Sequence, residues 1–290
     1  MAGSHGSNAM RPDSTYWAIS RSERSMVPFC HSPLTRFLTY ARKSETSTKI
    51  GTAPSVPSSA CYHADMVVSA LSESTQNYIK AIWSLGEWSD EPVTASRLAA
   101  RAGVKLSTAS DAIRKLKDQG LVNHAPYGAV HLTEQGQALA VAMVRRHRLI
   151  ETFLVEVLGY SWDEVHSEAE VLEHAVSDVL VERISAQLGN PDRDPHGDPI
   201  PAADGTVVRP QAVLLSSIET GGIFRVERIS DADPELLRFV EAQGIAYGSR
   251  LEVKPPAPYS ESIEVSVDAG APVLLGIGAL RAIWVCPTEG

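Results

Sequence analysis

The chain has 290 residues, a formal net charge of −9 and 43% hydrophobic residues, values typical of an ordinary globular protein with two or three domains. No apolar run approaches the roughly 20 residues of a membrane span, and no signal peptide is recognised, so we expect a cytoplasmic protein. The cysteines, Cys30, Cys61 and Cys286, are far apart and indicate neither a disulfide framework nor a zinc site.

The N-terminal region shows no pattern of a folded domain. Residues 1–10 resemble a tag with a protease-site scar, and residues 11–65 are rich in Ser, Thr, Pro and Arg without a sustained period. Such a segment has too little apolar surface to offset the entropy lost on ordering. We therefore predict a tag over residues 1–10 and disorder over residues 11–65, with Met66 as the candidate native start and a regulatory arm as the alternative.

Residues 66–136 predict a winged helix-turn-helix domain. The first helix has apolar residues at helical spacing, namely Tyr78, Ile79, Ile82, Trp83 and Leu85. Thr94 is the predicted cap of a second helix and Ser107 that of a third, and a hairpin follows around Tyr127 and Gly128. This order of helices, turn and hairpin is typical of winged-helix DNA-binding domains.

Residues 137–190 predict a helical domain. One long amphipathic helix covers residues 134–158, Asp163 is a candidate cap after it, and a second helical stretch covers residues 168–188. The apolar face of the second stretch is broader than one partner helix needs, which indicates a subunit interface.

The C-terminal part predicts a small β domain. A Pro/Asp/Gly-rich linker over residues 191–210 precedes short β-rich segments in residues 211–290, with one helix among them. These segments predict an SH3-like barrel. The fold class is therefore mainly α with a small all-β domain.

An acidic chain is a poor candidate for binding nucleic acid unless it carries a local basic surface. Here Lys and Arg side chains concentrate between Arg97 and Lys117, around the predicted third helix. Lys and Arg scattered on a helix usually mean a solvated face, but the winged-helix context favours DNA binding. The residues predicted to contact bases or phosphates are Lys105, Ser107, Thr108, Ser110, Asp111, Arg114 and Lys115.

Two groups of carboxylates and imidazoles lie on the adjacent helices. His147 and Glu151 are one turn apart, and Glu170, Glu173 and His174 follow His166 at spacings that share a helix face. Each residue alone is more often a surface charge or a satisfied histidine. Together they predict a site for Mn2+, Fe2+ or Zn2+ and do not favour Cu(I).

Other metal motifs do not fit the spacing. Neither the metalloprotease helix nor the di-iron carboxylate pair is present, and the calcium-like run at Asp192, Asp194, His196 and Gly197 lacks its final Glu, so we interpret it as a turn. A metal-dependent hydrolase would lack a general base distinct from the ligands. A redox or organic-ligand regulator is the other alternative, and the cysteine placement argues against the redox version.

The sequence resembles the DtxR/MntR family of metal-dependent repressors over residues 72–287. The resemblance is carried by the segments STQNYIKAIWSL, STASDAIRKLKDQGLV, YGAVHLTEQG, RRHRLIETFL, DEVHSEAEVLEHAVSD and DPHGDPIP. It implies a winged-helix domain, a metal-binding dimerisation domain and a C-terminal SH3-like (FeoA-like) domain. It further implies a homodimeric, non-enzymatic repressor that binds a double-stranded DNA operator, with no small organic ligand.

The resemblance also implies two metal sites. The primary site would consist of Asn77, Glu170, Glu173 and His174. The ancillary site would consist of His147, Glu151 and His166, completed by Asp231 or Asp233.

The same resemblance predicts the metal. Iron-type members have Cys at the position of Glu170 and manganese-type members have Glu, so this chain is similar to the manganese type. Asn77 stands where that type usually has Asp, and Lys80 replaces the Glu of two-domain manganese regulators, whose binuclear site should not form. We expect Mn2+ as the cofactor, with Fe2+ as the alternative and Co2+ or Zn2+ as surrogates.

Overall fold

The computed structural model describes Val68, residues 70–125 and residues 128–288. The predicted tag over residues 1–10, the predicted disorder over residues 11–65 and the predicted hairpin turn at Tyr127 lie outside these residues. Within them, no helix is both long enough and apolar enough to cross a membrane.

The first described part is the predicted winged helix-turn-helix. Its helices are α1 (Glu73–Glu87), α2 (Ala95–Arg101) and α3 (Leu106–Asp118), and the antiparallel strands β1 (Val122–His124) and β2 (Val130–Leu132) form the wing. One apolar core joins these elements to the first half of the following helix, so the DNA-binding part and the start of the helical part pack as one body.

One helix cap is confirmed and two are wrong. The hydroxyl of Thr94 accepts a hydrogen bond from the backbone of α2, as predicted. Ser107 lies inside α3, because that helix begins one residue earlier with Lys105 at its N-cap position and no side-chain cap. Asp163 likewise lies in a first turn, with Ser161 at the N-cap position.

The long central helix α4 (Glu134–Leu158) has the predicted bounds, with Thr133 as its cap. The predicted second stretch is wrong as one helix, because it divides into α5 (Trp162–Leu172) and α6 (Asp178–Gln187). The backbone carbonyl of Glu173 accepts a hydrogen bond from Arg146, and Ser177 caps α6 with its hydroxyl. In this turn, hydrogen bonds from a side chain and from a cap therefore replace those of a continuous helix.

The C-terminal part is the predicted small all-β domain. Its antiparallel sheet has the order β3-β8-β4-β5-β6-β7, with strands Val213–Leu214 (β3), Gly222–Ile229 (β4), Arg250–Val253 (β5), Ser262–Val267 (β6), Pro272–Gly276 (β7) and Ile283–Pro287 (β8). A short 3-10 turn (Leu215–Ser217) and helices α7 (Pro234–Ala242) and α8 (Ile277–Leu280) complete it. The domain has its own apolar core.

The linker lies against this domain through a turn at Gly197. Gly197 has a φ of +92°, which a residue with a side chain rarely adopts, and a Cβ there would collide with the backbone of Glu227. The carbonyl of His196 accepts a hydrogen bond from the backbone N–H of Ile229 at 2.8 Å. The turn is therefore held on strand β4, next to α4 and α5.

Candidate metal centre

The centre begins with two side chains on α4, His147 and Glu151. They lie one turn apart and are both buried, and His147 Nε2 is 2.9 Å from Glu151 Oε1. From α5, His166 Nδ1 approaches the same Glu151 oxygen at 3.0 Å and His147 Nε2 at 3.2 Å. Helix packing thus brings one donor atom from each of these three residues to within 4.8 Å of the others.

The carboxylates at the end of α5 meet the same histidine from its other side. Glu173 is fully buried, and its Oε2 lies 2.6 Å from His147 Nδ1. Donor atoms of His147, Glu170 and Glu173 form a second group within 4.8 Å. His147 therefore belongs to both groups, which makes one continuous arrangement of metal-ligating side chains. We refer to His147, Glu151, His166, Glu170, Glu173, His174 and Asp231 as the histidine–carboxylate cluster.

His174 adds an unpaired ring nitrogen. Its Nδ1 lies 2.7 Å from Gln76 Oε1, an arrangement in which Nδ1–H donates to the amide oxygen. Its Nε2 is buried without a hydrogen-bond partner, 3.6 Å from Glu173 Oε1. A histidine whose second ring nitrogen is oriented by an amide is typical of metal ligation. The orphaned nitrogen and the oxygen-rich donors together fit a divalent cation.

Gln76, and not Asn77, points from α1 toward the cluster. The side chain of Asn77 is exposed, whereas Gln76 is buried and also donates to the backbone carbonyls of Val68 and Leu71. Consecutive helical residues point about 100° apart, so only one of the two can face α5. The helical spacing of Gln76 from the buried Ile79 is the signal that sequence reasoning missed.

The two aspartates predicted from the all-β domain lie in different surroundings. Asp231 Oδ2 lies 3.2 Å from His166 Nδ1, so this carboxylate reaches the cluster from the other domain. Asp233 is exposed and caps α7, accepting hydrogen bonds from two backbone N–H groups. The structure therefore brings Asp231 but not Asp233 to the predicted ancillary site.

A third group involves the linker turn that the sequence interpretation left out. Donor atoms of Glu151, Asp194 and His196, all three buried, lie within 4.8 Å of one another. His196 Nδ1 is buried without a hydrogen-bond partner. Asp194 and His196 stood in one of the segments that carried the resemblance, and that signal could have identified them.

Charge interactions keep the cluster's carboxylates ionised. Burial raises the pKa of Glu151, but His147 and His166 outweigh it and hold that pKa well below its usual range. Burial works against the charged form of His166, yet the carboxylates of Asp231 and Glu151 raise its pKa to about 10. The cluster is thus rich in anionic oxygens that favour a cation, and it borders a cavity of about 400 Å³.

The predicted DNA-contacting residues lie on or beside α3. All of them are exposed, namely Lys105, Ser107, Thr108, Ser110, Asp111, Arg114 and Lys115. Three of these side chains already have partners, because Arg114 donates to Asp111 at 2.8 Å and the Ser110 hydroxyl donates to the backbone carbonyl of Leu106 at 2.8 Å. The buried face of α3, which includes Ile113 and Leu116, packs into the winged-helix core and leaves the polar face available.

Models of three protein families match the chain in succession. Residues 70–130 match the N-terminal DNA-binding domain of iron-dependent repressors, and residues 133–202 match their metal-binding and dimerisation domain. Residues 213–287 match the FeoA domain.

Individual proteins agree with these matches. The iron-dependent repressor IdeR of Mycobacterium tuberculosis is 37% identical over 196 residues, covering 63% of this chain and 85% of that protein. A solved manganese-dependent transcriptional repressor in complex with manganese is 55% identical with a TM-score of 0.71, covering 74% of this chain and all (100%) of that one. The structure of the manganese regulator SloR is 31% identical with a TM-score of 0.63, covering 74% and 98%.

Proposed function

Because the chain belongs to the family of iron- and manganese-dependent transcriptional repressors, we propose that Mn2+ is the ion that activates its DNA binding. Family membership makes it a metal-dependent, DNA-binding regulator and not an enzyme. Its site of action would be the cytoplasm, where an operator is accessible.

The donor set carries the choice of Mn2+. Every side chain of the histidine–carboxylate cluster offers a carboxylate oxygen or an imidazole nitrogen, and Glu170 supplies a hard oxygen. Mn2+ has the weakest affinity in the usual divalent order, so a manganese sensor selects by donor type and geometry. Fe2+ is the second candidate, favoured by the likeness to IdeR, and Co2+ or Zn2+ would act as surrogates.

The cluster connects the predicted DNA-binding surface to the dimerisation part. Gln76 on α1 orients His174, while α1 and α3 share one apolar core. A bound divalent cation would neutralise the buried carboxylates and draw α1, α4 and α5 together. Such a ligand shifts the protein toward the DNA-competent arrangement only by its differential affinity for that arrangement.

A homodimer fits the exposed apolar side chains of the helical part. Val171, Val179 and Leu180 are 69%, 61% and 45% exposed, on and after α5. Exposed apolar side chains on two consecutive helices, here Val171 on α5 and Val179 and Leu180 on α6, are typical of a subunit interface. Two copies would present two α3 helices to successive major grooves of a double-stranded operator.

The test is DNA binding to the promoter of a manganese transporter, titrated anaerobically with Mn2+, Fe2+ and Co2+. We expect binding to need metal and to weaken steeply with salt. Glu170→Ala should weaken activation by every metal, because it removes one ligand. Glu170→Cys should weaken activation by Mn2+ more than by Fe2+ or Co2+, because a thiolate favours softer ions.

Two outcomes would contradict the proposal at different levels. Equal DNA binding in chelator and in Mn2+ would remove the metal requirement. If Mn2+, Fe2+ and Co2+ activated DNA binding of Glu170→Cys in the same relative order as in wild type, Glu170 would not be the selectivity residue. The donor set would then support Fe2+ as well as Mn2+.

A further inference from the structure

Lys80 places a positive charge among the carboxylates of the centre. It lies on α1 and is only 8% exposed. Its Nζ donates to Glu173 Oε1 at 2.6 Å and to Glu170 Oε1 at 2.8 Å, and it lies 3.5 Å from His147 Nδ1. These three partners are the residues whose donor atoms form one compact metal-ligating group. The ammonium therefore shares its partners with a metal ion bound there.

We propose that Lys80 is an internal competitor of the metal ion, which must take the oxygens of Glu170 and Glu173 from the lysine ammonium. This inference rests on the proposed metal-dependent function. It assigns Lys80 the role of setting the metal concentration at which the protein responds.

The charges at the site support competition. Lys80 Nζ lies 2.8 Å from Glu170 Oε1 and 2.6 Å from Glu173 Oε1, so one oxygen of each carboxylate already has a cationic partner. One ammonium offsets one of the two negative charges, whereas a divalent ion offsets both. An ammonium that stays beside the ion would repel it in this partly buried site, where charges interact more strongly than in bulk water.

The position of Lys80 on α1 couples this exchange to the DNA-binding part. Gln76 lies one turn earlier on the same face and holds His174. Release of Lys80 from Glu170 and Glu173 would remove two ion pairs between α1 and the end of α5. The hydrogen bond between Gln76 and His174 would then remain as the contact of α1 with the bound metal site. The exchange of the ammonium for the metal thus changes the contacts that hold α1 against α5.

The experiment measures Mn2+ binding by calorimetry without DNA, in wild type, Lys80→Met and Lys80→Arg. Methionine keeps the apolar stem and removes the charge, whereas arginine keeps the charge. Lys254→Met is the matched control, because Lys254 is exposed in the all-β domain and pairs with Glu264. We expect Mn2+ to bind Lys80→Met about tenfold more tightly or better, a change of about 1.4 kcal/mol. Lys80→Arg should not gain affinity, and Lys254→Met should match wild type.

A second measurement separates competition from a structural role. Thermal unfolding in chelator should show Lys80→Met less stable than wild type, and saturating Mn2+ should close that difference. If Lys80→Met does not fold without metal, Lys80→Gln is used instead. Unchanged or weaker Mn2+ affinity in a folded variant would overturn the inference, while a wild type that binds DNA equally with and without Mn2+ would overturn the proposed function.

Discussion

Two buried ionic clusters lie side by side and begin at consecutive residues of α4. His147 enters the histidine–carboxylate cluster, whereas Arg148 enters an arginine cluster, which we define as Arg148, Arg228, Glu87 and Asp198. The arginine cluster contains Glu87 at the end of α1, and the histidine–carboxylate cluster pairs with Lys80 in the middle of α1. Both clusters also contain residues of α4 and of the all-β domain. They differ in how their negative charges are compensated.

The charges of the arginine cluster are paired mainly within it, with longer contacts from Arg148 to Asp194 at 3.7 Å and from Arg228 to Asp231 at 3.9 Å. Arg148 binds both oxygens of Glu87, at 2.9 and 2.6 Å, and the Nε of Arg228 binds Asp198 at 2.7 Å. Trp88 also donates to Asp198, and the guanidinium of Arg228 lies over the Trp88 ring. Each of the two permanent cations thus has a carboxylate partner within the cluster at 2.7 Å or less.

The histidine–carboxylate cluster has no such balance. Glu170 and Glu173 pair with one lysine, Glu151 pairs with imidazoles, and Asp231 pairs with His166 and, at 3.9 Å, with Arg228. Arginine keeps its charge and its fixed geometry, whereas an ammonium on a flexible stem can leave. The comparison indicates that one cluster fixes the domains while the other is built to exchange its cation.

The largest expected effect is on the arginine cluster. Arg148→Met should lower the free energy of unfolding by about 3–5 kcal/mol, because buried carboxylates would lose their partner. Urea unfolding in chelator measures this effect. Arg114→Met is the control, since the Arg114–Asp111 pair is exposed and should contribute under about 1 kcal/mol. Equal effects of the two substitutions would mean that the arginine cluster does not fix the domains.

The next largest effect is expected on Mn2+ binding, from the loss of the Gln76 amide that orients His174. Gln76→Leu should weaken Mn2+ binding by about 10–100-fold, because His174 would lose the amide that fixes its ring. Asn77→Ala, one residue along α1, should change it little. Calorimetry of both variants in parallel decides between them. A greater loss in Asn77→Ala would show that the family-implied ligand acts despite its exposed position.

A smaller effect is expected at the contact with the all-β domain. Asp231→Asn removes the negative charge beside His166, and we expect a several-fold loss of Mn2+ affinity at that part of the cluster, on the order of 1 kcal/mol. Asp233→Asn should have almost no effect, because Asn caps a helix as well as Asp does. Metal stoichiometry and affinity of the two variants give the comparison. Identical behaviour would remove Asp231 from the site.

The smallest effect is expected outside both clusters, at an exposed cation. Lys115→Ala should weaken DNA binding modestly and lower the slope of log affinity against log salt by about 1, as expected for one lost phosphate contact. Lys254→Ala should leave the slope unchanged. Filter binding at several salt concentrations measures both, and an unchanged slope in Lys115→Ala would place that lysine away from phosphate.

The sequence by itself determined the succession of winged-helix, helical and all-β parts, the bounds of α4 and the residue types at the candidate metal centre. These follow from local information, namely the 3.6-residue period, a cap such as Thr133 and the residue types at His147 and Glu151. The exposed polar face of α3 follows from the same period.

Tertiary structure alone decided which neighbours meet. It turned Gln76 and not Asn77 toward His174, separated Asp231 from Asp233, and placed Lys80 against Glu170 and Glu173. It also broke the predicted second stretch into α5 and α6, and brought the linker's His196 beside Glu151. The physical reason is that a residue's type is local, whereas its partner depends on how distant elements pack, and a rotation of about 100° separates adjacent helical side chains.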